Sequence, residues 1–242
     1  MSADRVTQLA PGLWAIGQKK GGRVHAFLCE EEGGDLTLVD TLYDTDGARV
    51  LAQIARMGRE PGDLKRIVIT HGHRSHLGGV RALKEATGAT VLAHAWEADI
   101  VAGERKAQRV SLVPARPYRT YFPFQFALGL GLGGHPACPV DAHVADGDRV
   151  GPLLVVDSPG HSPGHLAFLW EDRRTLIAGD AVATWPGFMA GWSSFTLNER
   201  QHRESLRRLA ETEPQAVGVG HGPPIVEGGR ERLRDLVDAL GR

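Results

Sequence analysis

The sequence predicts an α/β fold in which two β-sheets pack together and helices lie outside them. Short apolar runs rich in β-branched residues come in hairpin-like order, which is typical of strands that neighbour one another. Segments with apolar residues at helical spacing lie between these runs. Two packed sheets covered by helices would bury both kinds of apolar surface, so this order of elements fits that architecture.

The first half of the chain supplies a predicted hairpin, two helices and two further strands. Residues 24–29 and 36–40 are predicted strands joined by a glycine-containing turn over residues 30–35. Residues 46–57 are a predicted helix because the apolar residues on one face recur at helical spacing: Val50, Leu51, Ile54 and Met57. Residues 67–70 and 90–93 are predicted strands. Between them a helical stripe runs from Leu77 to Ala86 and ends at Gly88, with Ser75 as a favoured N-cap residue just before it.

The second half repeats the same alternation. Residues 153–156, 166–170 and 175–178 are predicted strands, residues 199–210 a helix, residues 216–219 a strand, and residues 230–240 a closing helix. Neither a linker nor a repeat divides the chain, and we therefore predict a single domain over residues 1–242.

Composition and charge exclude several classes of function. The chain has 242 residues, 42% of them hydrophobic, which is ordinary for a globular protein. With 28 basic against 29 acidic residues it shows no basic excess, so we expect no nucleic-acid partner. Five arginines near the C-terminus alternate with acidic residues, which indicates solvated helix faces: Arg207, Arg208, Arg230, Arg232 and Arg234.

The chain also lacks the sequence signals of export and membrane insertion. Its N-terminal residues do not form a signal peptide, and no apolar run reaches the roughly 18–20 residues that a membrane span needs. The cysteines, Cys29 and Cys138, are too few for a disulfide scaffold and are expected to be reduced thiols. We therefore expect a cytoplasmic protein that does not bind membranes.

Candidate metal ligands follow four of the predicted strands. Each of these strands runs into a loop that contains glycine or proline and delivers His or Asp: His71, His73 and His76 in HGHRSH, His161 in SPGH, Asp180 in AGD, and His221 in GHGP. Strand ends are rigid, and glycine lets the backbone pack closely around a small site. Imidazole and carboxylate groups are ligands that zinc prefers, and the sequence therefore predicts a metal site.

The other histidines of the chain carry weaker signals. A single histidine is more often exposed or hydrogen bonded than a metal ligand, and this interpretation is assigned to His25, His94, His135, His143 and His202. His165 is left open, because it shares the segment PGHSPGH with His161.

These motifs resemble the metallo-β-lactamase superfamily, whose signature is HxHxDH followed by a separated His, Asp and His. The segments THGHRSHLGG, SPGHSPGH, AGD and GHGP match it in order over nearly the whole chain. The resemblance implies a four-layer αββα sandwich of two mixed sheets with a metal site at one edge. It also implies that His71, His73 and His161 hold a first metal, that Asp180 bridges, and that His76 and His221 hold a second. Asp40 matches an acidic residue that supports this site by accepting a histidine N–H.

The chain departs from the family signature at Ser75, which stands where HxHxDH places Asp. That aspartate ligates the second metal, and a neutral hydroxyl is a poor substitute for a carboxylate. Loss of even an outer-sphere partner costs roughly 10–100-fold in affinity or activity, and we expect a lost ligand to cost at least as much. We therefore expect one firmly bound Zn²⁺ and a second that is weak or absent, with Fe or Mn as alternative metals.

The function that these motifs imply is metal-dependent hydrolysis. A metal-bound hydroxide would attack an ester, thioester or lactone-type carbonyl of a small substrate. The candidate catalytic residues are Asp180, Ser75 and His221, with Ser75 donating at most a hydrogen bond. Only residues 222–242 follow the last ligand, which argues against the branch resembling glyoxalase II, with its added helical domain.

Two aromatic segments are candidate pocket walls. One spans residues 118–132, with Arg116 and Arg119 nearby as weak candidates for an anionic group. The other follows Asp180 and contains Trp185, Phe188, Met189, Trp192 and Phe195. Apolar walls beside a polar site are common in ligand pockets and would favour a partly apolar substrate. Packing in the core or at the interface of a homodimer explains them equally well.

Two other functions remain open from the sequence. An iron-dependent oxidoreductase on the same fold, resembling persulfide dioxygenases, would use two histidines and an aspartate, which His71, His161 and Asp180 could supply. A degenerate metal-binding protein without hydrolase activity would account for Ser75. Retention of the other six matched positions argues against that degenerate protein.

Overall fold

The computed structural model describes residues 5–107, 122, 126 and 134–241. In these residues the strands are β1 (Val6–Ala10), β2 (Leu13–Gln18), β3 (Val24–Glu30), β4 (Leu36–Val39), β5 (Leu64–Ile69), β6 (Thr90–Ala93), β7 (Ala142–His143), β8 (Arg149–Val150), β9 (Leu153–Asp157), β10 (Leu166–Trp170), β11 (Thr175–Ile177) and β12 (Ala216–Gly218). The helices are α1 (Lys20–Arg23), α2 (Ala48–Arg56), α3 (Arg74–Leu77), α4 (Val80–Thr87), α5 (Ala95–Val101), α6 (Glu199–Glu211) and α7 (Gly229–Leu240).

The strands form two mixed sheets, as the family resemblance implies. The first sheet has the order β1-β2-β3-β4-β5-β6-β7, antiparallel from β1 to β4 and parallel from β4 to β7. The second has the order β12-β11-β10-β9-β8, with the single parallel pair of this sheet between β11 and β12.

Three apolar layers hold the sheets and helices together. Side chains alternate along each strand, so that Phe27 and Phe168 point between the sheets while Leu28 and Ala167 face outward. The layer between the sheets is centred on these two phenylalanines, both fully buried. Helices α2, α4 and α5 cover the first sheet, and α6 and α7 cover the second. The result is a four-layer αββα arrangement.

The sequence predictions for the strands and helices hold except near the N-terminus and at short elements. The predicted strands 90–93 and 166–170 have the observed bounds, and β5 begins three residues before the predicted strand 67–70. Apart from the helical stripe of residues 77–86, the other predicted elements differ by one or two residues at their ends. Six observed elements have no counterpart among the sequence predictions: β1, β2, β7, β8, α1 and α5. Five of these elements have six or fewer residues and α5 has seven, so each is too short to show a clear hydrophobic period.

The predicted role of Ser75 as an N-cap is wrong, because the predicted helical stripe is two helices. Ser75 lies inside α3, whose N-cap residue is His73, and α4 begins separately after Gly79. The break is at Gly78 and Gly79, whose backbone N–H groups donate to the carbonyl oxygens of Leu42 and Thr41. A Cβ on Gly78 would lie 2.3 Å from the Tyr43 carbonyl oxygen, so only glycine allows this close approach.

Among the residues that the structure describes, every helix is too short or too polar to pass through a bilayer. Both cysteines are buried free thiols.

Candidate metal centre

Loops from both sheets bring the predicted ligands together at one edge of the molecule. His71 and His73 follow β5 in the first sheet, and His76 lies in the short helix α3. His161 and Asp180 follow β9 and β11 in the second sheet, and His221 follows β12. All six side chains fall into two overlapping groups, in each of which one potential ligand atom per residue lies within 4.8 Å of the others.

The first group contains His71, His73, His161 and Asp180. His73 Nδ1 lies 2.9 Å from His71 Nε2 and 3.1 Å from His161 Nε2, so three ring nitrogens face one another. Asp180 Oδ2 completes the group at 3.7 Å from His71 Nε2 and 3.5 Å from His161 Nε2. Imidazole and carboxylate groups are donors that zinc and similar divalent metals prefer, so these residues would be able to hold such a metal.

The second group contains His76, Asp180 and His221, all buried. His76 Nε2 lies 3.3 Å from Asp180 Oδ1, and His221 Nε2 lies 3.3 Å from Asp180 Oδ2. Asp180 therefore lies between the two groups and can contribute to both. The second group has three protein donors where the first has four.

Two buried polar atoms of the site lack a hydrogen-bond partner among the described residues and are suited to binding a cation. His76 Nε2 and Asp180 Oδ1 are buried and lack a hydrogen-bond partner in the described part of the chain. A buried polar atom without a partner costs about 1–3 kcal/mol. A divalent cation bound at this site would give such atoms a partner, so the donor set fits a divalent metal.

The electrostatics of the two groups differ. Burial holds the pKa of His71 and His161 well below the ordinary value and lowers that of His73 to about 4. Burial also opposes a charge on His76, but Asp180 and Asp40 outweigh it and raise the pKa of His76 to about 10. The first group therefore offers neutral imidazoles at neutral pH, whereas His76 holds a proton that a metal must displace.

Hydrogen bonds determine which nitrogen of each ring is free. Asp40 is fully buried and accepts hydrogen bonds from the Thr70 hydroxyl and from His76 Nδ1, both at 2.8 Å. Because the Thr70 hydroxyl donates to Asp40, its oxygen is left to accept from His71 Nδ1 at 3.0 Å. His221 Nδ1 donates to the Gly22 carbonyl oxygen at 3.0 Å. Nε2 is thus the nitrogen with a free electron pair in His71 and His221, and in His76 it is the nitrogen whose proton a metal must displace.

His165, which the sequence left open, contacts the site through the backbone of Asp180. Its Nε2 accepts from the Asp180 backbone N–H at 3.1 Å, and its Nδ1 donates to Ser158 Oγ at 2.7 Å. Both nitrogens are therefore used, and burial lowers the pKa of His165 to about 3. His165 fixes the turn that carries Asp180, and its place in PGHSPGH was the only signal of this role.

The remaining histidines lie outside both ligand groups. His94 Nδ1 accepts from the Trp96 backbone N–H, and His135 and His202 hydrogen bond to backbone carbonyl oxygens. His143 is exposed. His25 is buried, and its Nδ1 has no hydrogen-bond partner among the described residues.

Part of the second aromatic segment packs directly on the candidate ligands. Trp192 stacks on His221 with ring centroids 4.3 Å apart, and Phe195 lies edge-on to His73 at 6.3 Å. Trp185 and Met189 pack against the same cluster. Phe188 packs instead with the layer under α6 and α7. Of the other aromatic segment, only Phe122 and Phe126 are described, and both are exposed; Arg116 and Arg119 lie outside the described residues.

Ser75 is buried in α3, and in sequence it lies between the candidate ligands His73 and His76. Its role in catalysis stays a prediction, as do the individual roles of the other site residues.

Comparison with known proteins places the fold and site in a family. The model of the metallo-beta-lactamase superfamily matches residues 20–221, which include all six candidate ligands. The chain belongs to the metallo-beta-lactamase superfamily.

Three similar proteins illustrate the range of this family. The probable metallo-hydrolase YflN of Bacillus subtilis is 27% identical over 90% of this chain and 86% of its own length. A hydroxyacylglutathione hydrolase of Cereibacter sphaeroides is 27% identical over 80% of this chain but only 60% of its own length. The solved structure of TTHA1623 in a di-iron-bound form is 25% identical with a TM-score of 0.63, and the match covers 90% of this chain and 96% of that one. The chain is therefore a probable metallo-hydrolase.

Proposed function

We propose that this protein is a zinc-dependent hydrolase that cleaves an ester, thioester or lactone-type carbonyl in a small, partly apolar substrate. The observation that carries this proposal is the group of His71, His73, His161 and Asp180, buried except at the partly exposed His73, which brings three imidazoles and a carboxylate together. The segment GHSPG at residues 160–164 has the form GxSxG, but it joins two strands and its Ser162 hydroxyl donates to Glu97, so it lacks the strand-to-helix turn and the histidine partner of a serine nucleophile.

The histidines and Asp180 would have different roles in such a reaction. His71, His73 and His161 would hold the metal as neutral donors, because burial disfavours their protonated forms. When bound, a divalent cation in this group acts as a Lewis acid and lowers the pKa of water toward neutrality. Asp180 stays ionised because His221 and His76 overcome the effect of burial and hold its pKa well below the ordinary value. Its carboxylate can therefore accept a hydrogen bond from the attacking water and orient it.

We further propose one firmly bound metal and a second that is weak or absent. The unequal donor sets support this, since the second group has only His76, Asp180 and His221. Asp40 supports the second group by fixing His76, and through Thr70 it also orients His71.

An apolar part of the substrate is supported by the aromatic cluster beside the ligands. Trp192 and Phe195 contact His221 and His73, so a substrate that reaches the metal would lie against these rings. The similarity to hydroxyacylglutathione hydrolases supports an acyl substrate.

Activity measurements with a matched pair of histidine variants test this proposal. The protein, purified without added metal and then loaded with Zn²⁺, is assayed on a panel of p-nitrophenyl esters, acyl thioesters and lactones. We expect saturable hydrolysis that a chelator abolishes, and His161→Ala to lower kcat/KM by about 100-fold or more, because even outer-sphere losses cost 10–100-fold. His143→Ala, at an exposed histidine, should keep full activity. Failure of the metal-bound protein to hydrolyse any member of the panel would favour the non-catalytic binding protein.

An iron-dependent oxidoreductase is the second candidate. The di-iron form of TTHA1623 and the pairing of Asp180 with His71 and His161 favour it. His73 argues against it, because a third histidine nitrogen at 2.9 and 3.1 Å fills a position that a two-histidine, one-carboxylate site leaves open. Oxygen uptake on a persulfide by the iron-loaded protein, with no hydrolysis by the zinc form, would establish this alternative.

A further inference from the structure

Glu97 lies in α5 between the two loops that carry the histidines of the first group. Its side chain is fully buried, with 0% exposure. Oε2 accepts a hydrogen bond from the Gly72 backbone N–H at 2.8 Å, within the loop that holds His71 and His73. Oε1 accepts from Ser162 Oγ and from the Gly164 backbone N–H, the latter at 3.2 Å, within the loop that follows His161. One carboxylate thus joins loops that come from different sheets.

Two glycines allow α5 to approach these loops closely. A Cβ on Gly72 would lie 2.7 Å from Ile100 Cγ2 and 2.8 Å from Glu97 Oε2. A Cβ on Gly164 would lie 2.7 Å from His94 Nδ1 and 2.9 Å from Glu97 Cγ. Both loops therefore contact the helix through bare backbone, which leaves little room for either loop to shift.

The helix itself is fixed to the rest of the fold. His94 caps its first turn by accepting from the Trp96 backbone N–H, and Ile100 and Val101 are buried in the core under the first sheet. A rigid helix that contacts both loops can transmit its position to the ligands that they carry.

We propose that Glu97 is a positioning residue that sets the spacing between His71 and His73 on one loop and His161 on the other, and so tunes the first metal group. The hydrogen bonds of Glu97 do not extend to His76 or His221, whose orienting partners are Asp40 and Gly22. Its effect is therefore specific to the first metal. This inference rests on the proposed metal centre.

Metal-binding measurements on Glu97→Gln test the proposal. The amide keeps the size of the side chain but has one accepting end, so either the Gly72 or the Gly164 N–H loses its acceptor. We expect Glu97→Gln to bind the first equivalent of Zn²⁺ about 10–100-fold more weakly in competition with a chelator, as outer-sphere losses do. The absorption spectrum of the first bound Co²⁺ should change as well, because the ligand geometry changes. Glu97→Ala, which removes every acceptor, should have the larger effect.

Asp99→Asn is the matched control, since Asp99 is an exposed carboxylate in the same helix. It should bind metal as the unmodified protein does. Ser162→Ala is the milder second variant: it keeps the carboxylate and removes one donor, so it tests the proposal if the changes at Glu97 prevent folding. A purely structural role of Glu97 would lower the melting temperature of the metal-free protein and leave the affinity and the Co²⁺ spectrum unchanged.

The outcomes separate this inference from the proposed function. If the unmodified protein binds no divalent metal, the proposed centre fails and this inference fails with it. If it binds metal, but the folded Glu97→Gln or Ser162→Ala protein has the same first-metal affinity and Co²⁺ spectrum, the role of Glu97 alone is overturned.

Discussion

The buried Asp180 carboxylate and the ring nitrogens around it need a balancing positive charge, because burial disfavours an unpaired negative charge. The Asp180 carboxylate is 5% exposed and lies 3.3–3.7 Å from the Nε2 atoms of four histidines. Without a metal, a proton on His76 serves as the balancing charge, which is why the pKa of that residue is raised. This balance of charge determines how pH, and a new carboxylate at residue 75, should change metal binding.

The affinities of the two groups for metal should depend differently on pH. His76 has a pKa of about 10, so it is protonated at neutral pH and a metal binding at its Nε2 releases that proton. Affinity for the second metal should therefore rise about tenfold per pH unit between pH 6 and 9. The first-group histidines have lowered pKa values, so affinity for the first metal should stay nearly constant over this range.

Chelator competition at several pH values measures both slopes in one sample, and the first metal is the internal control. Equal slopes for the two metals would contradict the assigned proton on His76.

Ser75→Asp should strengthen the second metal site. An added carboxylate supplies charge that the group of His76, Asp180 and His221 lacks, so we expect the second equivalent to bind at least about 10-fold more tightly. Titration calorimetry with Zn²⁺ and elemental analysis measure the change, and Ser75→Ala controls for loss of the hydroxyl. Two tightly bound equivalents in the unmodified protein at modest zinc concentration would refute the weak second site.

At the scale of the element, the short helix α3 shows how backbone packing positions a ligand. The Thr41 N–H and hydroxyl groups both donate to the His76 carbonyl oxygen at 2.8 Å, and the Gly78 N–H donates to the Leu42 carbonyl oxygen. These bonds hold α3 against the loop that follows β4 and Asp40. Since Asp40 also binds the His76 side chain, this loop fixes both the backbone and the ring of that residue.

Gly78→Ala should disrupt this contact. Its Cβ would lie 2.3 Å from the Tyr43 carbonyl oxygen, a backbone atom that cannot move alone. We expect a loss of about 1–3 kcal/mol in the free energy of unfolding, as in other overpacked sites, measured by urea denaturation. The second metal should also bind more weakly.

Gly33→Ala is the control for this substitution, because a Cβ there meets nothing within 4 Å. It should change the free energy of unfolding by no more than about 0.5 kcal/mol. A stable Gly78→Ala protein with normal metal binding would show that α3 does not depend on this approach.

At the scale of the whole molecule, the candidate ligands join the two sheets. His71, His73 and His76 follow a strand of the first sheet, and His161, Asp180 and His221 follow strands of the second. A metal held by both sets would cross-link the sheets at one edge, while Phe27 and Phe168 hold them together in the middle. Metal binding and global stability should therefore be coupled.

Removal of metal should lower the unfolding free energy of the whole chain. A ligand that binds only the folded state stabilises it by about 2.7 kcal/mol when its free concentration is 100 times Kd. Thermal melts with and without a chelator measure the coupling through the shift in Tm. His161→Ala should melt at a temperature that responds much less to the chelator, and His143→Ala should respond as the unmodified protein does. No shift in the unmodified, metal-loaded protein would contradict the cross-link.

Ion pairs of some C-terminal arginines join separate segments of the chain. Arg208 and Arg230 form ion pairs with Asp146 and Glu213 at 2.7 and 2.8 Å. These contacts agree with the interpretation of the arginines as solvated helix faces.

The sequence by itself determined the layers, the family and the residues that gather at the site. A short continuous apolar run predicts strands such as β10, because alternate side chains face two different buried layers, and this is a local pattern. The four strand-to-loop junctions identify the histidines and Asp180, since metal chemistry restricts the residue types that can be used.

Only the tertiary structure decided what depends on contacts between distant segments. It divided the helical stripe at Gly78 through the approach of Tyr43, and it assigned His165 to the Asp180 backbone rather than to a metal. It also placed Glu97, a single carboxylate in a helix too short to predict, between two ligand loops 25 and 65 residues away in sequence. The physical reason is that hydrogen bonds and close backbone packing depend on three-dimensional distance, which no periodicity in a single sequence encodes.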